Sequence, residues 1–294
     1  MARPAPCRRA PSPPHGIAAP RATLAPVEPA LYAPTPARPV RAKARRLDPD
    51  SEIQPHRHPW AQVAIAVAGV ARITAQDATY LVPSWRAIWI PPGIEHAVTV
   101  VEAAELRTLY VHQPDGEAGP GVPRAQREAW RACRVLEVSP LLRELVLQMD
   151  IDADDAARPG ADLARERRLG ELALDELRRA RPLPLGIALP RDRRLRALCR
   201  AVLDDPARHA TLAGWAAAVG ASERTVARRF RDELGTSFGA WRQQVLLGRA
   251  MTLAAQGLPM RLIAAELGYA SASAFSAMVR RSVGTPPRQF FRSG

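Results

Sequence analysis

The C-terminal third of the chain contains one pattern twice, and this repeat restricts the fold more than any other feature. The first copy ends in GTSFGAW (235–241) and the second in GTPPRQF (284–290), at an offset of 49 residues. Upstream of each phrase, a short apolar helix closed by a glycine precedes a serine-capped helix, which is the pattern of a helix-turn-helix. The sequence therefore predicts a duplicated helix-turn-helix, whose copies are joined by a helix over 240–255 that spans about 24 Å.

The distribution of charge favours DNA as the partner of this region. The net charge is +13, of which residues 191–294 carry +10, residues 47–190 carry −5 and residues 1–46 carry +8. A strongly basic helical region indicates a polyanion partner, and nucleic acid before membrane. An all-helical domain that never touches DNA is the alternative, but it accounts for neither the repeat nor the charge.

Several features bear on where the protein works. The 3 cysteines are scattered, which favours a reducing compartment. No apolar run reaches the length of a membrane span, and the first residues lack the apolar core of a signal peptide. We therefore expect a cytoplasmic, nucleoid-associated protein with no membrane partner.

The rest of the chain divides by composition and periodicity. Residues 53–112 contain short β-branched or aromatic runs between Gly, Pro and Asp, which is typical of an antiparallel sandwich or barrel. Helical spacing then predicts helices over 139–150 and 162–180, and RPLPLGIALP (181–190) ends that pattern. The predicted domains are a disordered Pro/Ala/Arg-rich arm (1–46), a sensor barrel (47–122), a helical linker that is a candidate dimerisation region (123–190) and a DNA-binding domain (191–294).

The N-terminal segment has three interpretations. It is rich in proline and lacks periodic apolar residues, so it cannot bury enough apolar surface to offset its ordering entropy. A flexible arm, an Arg-rich targeting segment and an extension from a mis-assigned start codon all fit this composition.

Residues 212–292 resemble the DNA-binding domain of the AraC/XylS family of bacterial transcription regulators. The matching residues are Ser222, Arg228, Phe230, Gly235, Trp241, Arg249, Ala250, Ile263, Ala264, Gly268, Phe275, Gly284, Pro287 and Phe290. The resemblance implies that Arg224, Ala227 and Arg228 of the first recognition helix read bases, and an Arg228–guanine pair would contribute about 1–3 kcal/mol of discrimination. The predicted DNA-binding residues are Ser222, Glu223, Arg224, Thr225, Ala227, Arg228, Arg231, Ser271, Ser273, Ser276, Ala277, Arg280 and Arg281.

Two positions depart from the family pattern. Ala277 on the second recognition helix and Leu246 on the linking helix stand where the family often has Arg. We therefore expect the first helix to carry most of the base readout. The second helix is expected to contribute an apolar contact of Ala277 with a thymine methyl group and phosphate anchoring by its polar residues, Ser273, Ser276, Arg280 and Arg281.

The middle region resembles the cupin fold. His56 and His58 share one face of a strand because side chains alternate, and PPGIEH (91–96) matches the second cupin motif, Pro-x-Gly-x-x-His. The first cupin motif continues with an acid, whose position holds Gln62 here, and then a glycine, Gly69.

This resemblance implies a candidate divalent-metal site formed by His56, His58, Gln62 and His96. In enzymes of this fold three His and one Glu bind the metal, and an amide in place of the carboxylate would bind it less tightly. The alternative is that the imidazoles form hydrogen bonds in the barrel mouth without a metal.

Small-molecule sensing is the other function indicated for the barrel. Ligand pockets are mostly apolar with a few polar groups. The candidate effector-binding residues are Trp60, Gln62, Trp85, Trp89, Tyr110 and His112. Core packing is the alternative for each tryptophan taken alone.

Together these patterns predict two domains: an N-terminal cupin-like β-barrel with helical linkers and a C-terminal all-α double helix-turn-helix. The predicted function is that of a DNA-binding transcription regulator, activator or repressor, that responds to a small-molecule effector, requires no cofactor and is not an enzyme. Its expected partners are double-stranded DNA, the effector, RNA polymerase and a second copy of the chain. The alternative is a metal-dependent cupin enzyme with a DNA-binding tail, against which Gln62 argues.

Overall fold

The computed structural model describes residues 22–26, 29–76, 78–100, 103–149, 151–152, 160–183, 185–209 and 211–292. The strands are β1 (Ala22–Leu24), β2 (Val40–Leu47), β3 (Ser51–His56), β4 (Ala61–Ala68), β5 (Val70–Ala75), β6 (Ala78–Pro83), β7 (Arg86–Ile90), β8 (His96–Val100), β9 (Ala104–Val111), β10 (Arg134–Glu137), β11 (Pro182–Leu183) and β12 (Gly186–Ala188). The α-helices are α1 (Pro140–Gln148), α2 (Gly160–Arg179), α3 (Arg193–Asp204), α4 (Leu212–Ala218), α5 (Glu223–Leu234), α6 (Phe238–Ala255), α7 (Met260–Glu266), α8 (Ala272–Val283) and α9 (Pro287–Arg292).

The strands form two six-stranded sheets packed face to face. Sheet one has the order β1-β3-β8-β5-β6-β12, and sheet two has the order β11-β10-β7-β4-β9-β2. The β1–β3 pair is parallel, and the other pairs are antiparallel. Ala64 and Ile88 of sheet two pack against Ile73 and Val98 of sheet one in a buried interior. The predicted antiparallel two-sheet architecture is therefore confirmed.

Helices α1 and α2 cover the outer face of sheet two. Leu142 and Val146 of α1 and Leu177 of α2 are buried in one cluster with Val63 and Trp89 of the sheet. Ser139 caps α1, because its hydroxyl accepts from the Leu142 N–H at 3.0 Å. The apolar stripes of both helices thus pack on the barrel.

The predicted boundary of a disordered arm at residue 46 is wrong for its last residues. Val40–Leu47 forms β2, which pairs along its whole length with β9, and Ala22–Leu24 forms β1. Arg41 and Lys43 alternate with apolar residues on this strand, and all of Val40–Lys43 is buried. Because these cations interrupt the apolar residues of the strand, the composition of the segment resembles that of a solvent-exposed loop. Residues 1–21 and 27–28 of the predicted arm lie outside the described part of the chain.

The boundaries predicted for the linker, 123 and 190, also need correction. Arg134–Glu137 adds β10 to sheet two, beside β7. Residues 181–190 do not simply separate two domains, since they add β11 to sheet two and β12 to sheet one. Leu183, Leu185, Ile187 and Leu189 are buried at every second position, as in a strand. The prolines between them obscure this period in the sequence.

The C-terminal helices form the two predicted helix-turn-helix units, α4–α5 and α7–α8. Equivalent positions have equivalent conformations: Gly220 and Gly268 in the turns have φ of 65° and 77°, and Gly235 and Gly284 end α5 and α8 with φ of 62° and 74°. Helix α6 joins the units and contributes to both of their cores.

The DNA-binding region packs directly on the barrel. The indole N–H of Trp241 in α6 donates to the Ala188 carbonyl of β12 at 2.7 Å. A Cβ added to Gly248 of α6 would lie 2.0 Å from Leu81 Cδ1 of β6, so a larger residue there would force the Leu81 side chain to move. Arg72 of β5 also pairs with Asp204 of α3 at 3.2 Å. Helix α6 therefore contacts the same sheet that carries β3 and β8.

Candidate DNA-reading face and effector site

Helix α5 presents a polar face to solvent and an apolar face to its own core. Val226 and Phe230 are buried. The outward residues predicted to contact DNA are exposed or, for Thr225 and Ala227, half-buried; the exposed members are Ser222, Glu223, Arg224, Arg228 and Arg231. Amphipathic spacing thus fixes which side chains are free to reach a DNA groove.

The arginines of this face are not used to hold the fold together. Arg229, one position from Arg228, pairs with Asp192 at the start of α3. By contrast, the side chains of Arg224, Arg228 and Arg231 make no hydrogen bond or ion pair with any described residue. A cluster of unpaired guanidinium groups on a helix-turn-helix is the arrangement that phosphates and guanine edges bind.

Two of the predicted DNA-binding residues have a local structural role. The Ser222 hydroxyl accepts from the Thr225 N–H at 3.2 Å and lies 2.8 Å from the Thr225 hydroxyl. Ser271 caps α8 in the same way by accepting from the Ala274 N–H at 3.1 Å. Both serines therefore place the first turn of their helix.

Helix α8 has the same geometry but a different chemistry. Phe275, Met278 and Val279 are its buried side. Its outward residues are Ser273, Ala277, Arg280 and Arg281, which are exposed, and Ser276, which is half-buried. At an offset of 49 residues, Arg224 corresponds to Ser273 and Arg228 corresponds to Ala277. The first turns of α8 thus lack the cations that α5 presents.

The three predicted histidines come together at one end of the barrel. His56 on β3 is the direct cross-strand partner of His96 on β8, and their ring centroids are 4.3 Å apart. His58 lies 5.3 Å from His96 and stacks on Trp60 at 5.4 Å. Gln62 hydrogen-bonds to His58 Nε2 at 2.9 Å. We call this group, together with Tyr110, the barrel mouth.

Burial favours the neutral form of these imidazoles, whereas their hydrogen bonds to oxygen acceptors favour the protonated form. His56 Nδ1 faces the Gln54 carbonyl at 2.8 Å, His58 Nδ1 the Trp60 carbonyl at 2.8 Å, and His96 Nδ1 the Ile94 carbonyl at 3.0 Å. Burial lowers the pKa of His96 to about 3 and also lowers the pKa of His56 and of His58. A neutral ring that donates from Nδ1 has its lone pair at Nε2. His96 Nε2 is buried and has no partner in the described structure.

The barrel mouth does not fit a metal ion in this arrangement. Among the described residues, no group of three or more His, Cys, Asp or Glu side chains is placed to hold one. His58 and Gln62 bind each other, so two of the four predicted ligands are already engaged.

The structure divides the predicted effector-binding residues between two faces of sheet two. Trp60, Gln62 and Tyr110 lie in the barrel mouth, with ring centroids of Trp60 and Tyr110 5.9 Å apart. Trp89 lies on the opposite face, where its indole donates to the Trp130 carbonyl at 3.0 Å beneath α1 and α2. Trp85 belongs to that same outer cluster. Both faces of this sheet are buried, so alternation could not indicate which tryptophans point inward.

His112 and Lys43 complete the placement of polar residues near the mouth. His112 follows β9 and is half-buried. Lys43 was missed by sequence reasoning: it pairs with Thr108, which also pairs with the inward-facing Ala64, so Lys43 points to the interior. Its ammonium donates to the Tyr110 hydroxyl at 2.7 Å. The only sequence signal was the alternation Val40, Ala42, Ala44 around the cations.

The geometry defines a class of protein in which a paired helix-turn-helix reader is joined to a β-sandwich sensor. Comparison with known families agrees. The family described as "AraC-like ligand binding domain" matches residues 42–173, and the family described as "Helix-turn-helix domain" matches residues 215–293.

The chain is also similar to two individual transcription regulators. The chain is 30% identical to the HTH-type transcriptional regulator NimR of Escherichia coli K12 over 236 residues, which is 80% of this chain and 81% of NimR. It is 31% identical over 102 residues to the regulator RipA of Corynebacterium glutamicum, covering 35% of this chain and 31% of RipA. Among solved structures, ToxT from Vibrio cholerae O395 aligns over 86% of this chain and 97% of ToxT, with 12% identity and a TM-score of 0.36.

The chain therefore belongs to the AraC family of transcription regulators, with a ligand-binding domain and a helix-turn-helix DNA-binding domain. This confirms the family and the function expected from the repeat. In the described residues no helix is both long and apolar enough to cross a membrane.

Proposed function

We propose that the chain recognises a two-block DNA operator, with α5 reading bases and α8 anchoring phosphates. The observation that carries this proposal is a difference between the two helices. On α5, Arg224 and Arg228 have no partner among the described residues, whereas α8 has Ser273 and Ala277 at the equivalent positions. Arginine can bind guanine bidentately, whereas Arg280 and Arg281 near the end of α8 are suited to backbone phosphates.

The length of α6 supports simultaneous binding of both units. Its 18 residues span about 27 Å at about 1.5 Å per residue. Adjacent major-groove faces are about 34 Å apart, a separation comparable with the length of α6. One protomer can therefore place α5 and α8 in successive turns of the major groove.

Selection from random duplex DNA, at a fixed salt concentration of about 0.15 M, tests this proposal. We expect an enriched motif with one strongly defined block and a second, weakly defined block about 10 base pairs away. Arg228→Ala should relax the strong block at one position and leave non-specific binding unchanged. Two equally defined blocks would refute the division of labour, and no enrichment would refute sequence-specific recognition by these helices.

We propose further that the barrel mouth is the effector site and acts through sheet one. His56 and His96 lie on β3 and β8 of that sheet. The edge strand β12 of the same sheet contacts Trp241 of α6. A ligand that binds two arrangements of this sheet with different affinity would shift the position of α6. Replacing both His56 and His58 by Ala should alter the effector response and leave operator-independent DNA affinity unchanged. Loss of all DNA affinity in a folded double variant would contradict this route.

Metal binding by His56, His58, Gln62 and His96 stays a prediction. It requires Gln62 to turn away from His58, after which the four side chains could bind Zn, Ni or Fe. Metal analysis of the purified protein tests it: stoichiometric metal that is lost in His96→Ala would support binding. Turnover of a small carboxylate or phenol with oxygen would support the alternative enzyme, whereas we propose that the chain has no catalytic activity.

The remaining partners follow from the proposed mode of action. A regulator of this kind works on DNA in the cytoplasm, and contact with RNA polymerase would make it an activator. Leu141 of α1 and Leu172 of α2 are 52% and 50% exposed, so this helical layer is our candidate for a homodimer contact. Light scattering of Leu141→Glu with Leu172→Glu tests it, because a dimer through this layer should dissociate.

A further inference from the structure

The two sheets of the barrel bury side chains in different helix-turn-helix units. Ile187 on β12 of sheet one is buried in one cluster with Phe230 of the first unit, α4–α5. Val135 on β10 and Leu183 on β11, both in sheet two, are buried in a second cluster with Phe275 of the second unit, α7–α8. The barrel therefore completes the cores of both units, one from each sheet.

The segment between the two sheets carries both sets of contacts. Residues 181–183 and 185–190, which we call the strap, contribute β11 to sheet two and β12 to sheet one. Leu183 and Leu185 are buried in the cluster of the second unit, whereas Ile187 and Leu189 are buried in the cluster of the first unit. A single short segment of the barrel thus packs on both units at alternating positions.

The aromatic residue that ends each repeat also contacts the barrel. Trp241 and Phe290 are equivalent positions at the offset of 49 residues. The Trp241 indole N–H donates to the Ala188 carbonyl of β12 at 2.7 Å, and the Arg86 guanidinium of β7 donates to the Phe290 carbonyl at 3.4 Å. Strand β12 belongs to sheet one and β7 belongs to sheet two. The hydrogen bonds therefore assign the same unit to the same sheet as the buried clusters do.

The two units do not fill the space between them. A cavity of about 280 Å³ lies there, and its lining includes Ala207, which precedes the first unit, and Leu267 and Tyr269 in the turn of the second. Helix α6 connects the units along one side of this cavity through Phe238 and Leu246. A connection on one side leaves room for one unit to tilt against the other unless a second support holds both.

We propose that the barrel is this second support, and that Leu185, Ile187 and Trp241 determine which spacing of two DNA blocks the chain accepts. One added base pair displaces a block by about 3.4 Å and rotates it by about 35°, which two units in a fixed orientation cannot follow. The three residues are buried and act through α5 and α8, so they are positioning residues. The effect on DNA rests on the proposed two-block operator, whereas the fixed orientation of the units does not.

Distances between spin labels on the two reading helices test the fixed orientation in the full chain without DNA. The labels are attached at Asp232→Cys on α5 and Ala274→Cys on α8, both of which are exposed positions. The background variant is Cys7→Ser, and the remaining thiols of Cys133 and Cys199 are buried. The width of the distance distribution, measured by double electron–electron resonance, reports how firmly the two units are held.

Two variants weaken the contact with the barrel from opposite sides. Leu185→Ala removes a buried contact with the second unit. Trp241→Phe removes the bond to Ala188 and keeps an aromatic ring, which the repeat already has at the equivalent Phe290. The control is Ala188→Gln, whose side chain is exposed on the same strap. We expect a narrow distribution in the wild type and the control and a broadened one in both variants. Trp241→Phe still decides the question if Leu185→Ala does not fold.

Duplexes that differ only in the spacing of their blocks test the effect on DNA. The probes are the operator obtained by selection and the same duplex with one base pair inserted or removed between the blocks. The wild type should bind the selected spacing about ten-fold more tightly, which corresponds to the loss of one base contact. In Leu185→Ala and Trp241→Phe this preference should fall towards unity. Affinity for a duplex with the strong block alone should not change, which distinguishes positioning from a loss of fold.

Two results would overturn the proposal. If α6 alone sets the orientation, all the folded proteins will give equally narrow distance distributions. If a variant with a broadened distribution keeps the full spacing preference, the barrel does not determine spacing, although two-block recognition stands. If selection gives no two-block motif, the proposed recognition of the operator fails, and the distance distributions alone decide whether the barrel fixes the orientation of the units.

Discussion

The reading face of α5 and the barrel mouth both hold cations that have no carboxylate partner among the described residues, but they hold them at different depths. Arg224 and Arg228 are exposed, whereas Lys43 is buried. An exposed guanidinium remains hydrated, so it costs little while it has no ligand. A buried ammonium loses hydration in every folded molecule, so it lowers stability.

This difference indicates what kind of anion each region can take. The face of α5 is open along the helix, which suits an extended polyanion that contacts several side chains at once. Lys43 lies beside the rings of Tyr32 and Tyr110 in a buried interior, which an extended polyanion cannot enter.

The largest expected effect is on stability, in Lys43→Met without ligand. Burial lowers the pKa of Lys43 to about 8 from 10.5. Removing the charge should therefore raise the free energy of unfolding near pH 7 by about 3 kcal/mol, measured by urea denaturation. Between the two pKa values the unfolded chain binds more protons than the folded chain. The stability of the wild type should accordingly rise from about pH 8 to pH 10.5.

The control for this prediction is Arg46→Met, whose exposed charge should leave stability nearly unchanged. If Lys43→Met is less stable than the wild type at pH 7, the bond to Tyr110 and the two rings compensate the buried charge fully. The contrast between a hydrated and a dehydrated cation would then not hold.

The next effect is on specificity, in Arg228→Ala. Loss of a bidentate contact with guanine should weaken operator binding by about 1–3 kcal/mol. It should also reduce the base preference at one position of the operator. Stability should not change, because the Arg228 side chain has no partner among the described residues. Footprinting and fluorescence anisotropy measure the loss, with Arg200→Ala on α3 as an exposed control. An unchanged footprint would assign base reading to another residue.

Replacing both Arg280 and Arg281 on α8 by Ala should weaken binding to operator and random DNA alike. Each phosphate contact contributes about 0.9 to the slope of log K against log salt, so the double variant should lower that slope by about 2. The motif obtained by selection should keep its strong block. A change of sequence preference would show that α8 reads bases, and the contrast between α5 and α8 would be smaller than proposed.

The sequence predicted the helical region well because its signals are local. Ser222 and Gly235 mark the ends of α5, and Ser271 and Gly284 mark the ends of α8, all within one turn of the helices they limit. Exposed positions of an amphipathic helix follow from spacing alone. The residues of the reading face could therefore be predicted from the sequence alone.

The barrel mouth was harder to predict because its features depend on strands distant in sequence. β2 was missed since only its pairing with β9 buries Arg41 and Lys43. Trp89 was placed with the effector residues, although it faces α1 and α2, because burial of both faces of sheet two removes the alternation signal. The His56–His96 contact was anticipated from the cupin resemblance, whereas the bond between Gln62 and His58 was not.

The smallest expected effect compares the two units as scaffolds. Gly235 and Gly284 end α5 and α8 with φ of 62° and 74°, and a Cβ added to either would meet no atom within 4 Å. Gly235→Ala and Gly284→Ala should each cost about 1 kcal/mol, from backbone strain alone. Equal losses in thermal unfolding would show that the units differ in reading chemistry and not in architecture. A clearly larger loss at Gly235 would mean that the unit with the exposed arginines is also the more rigidly held, since strain relaxes less where the surrounding structure is stiff. The two properties would then have to be separated before Arg228→Ala could be interpreted as a pure loss of base contact.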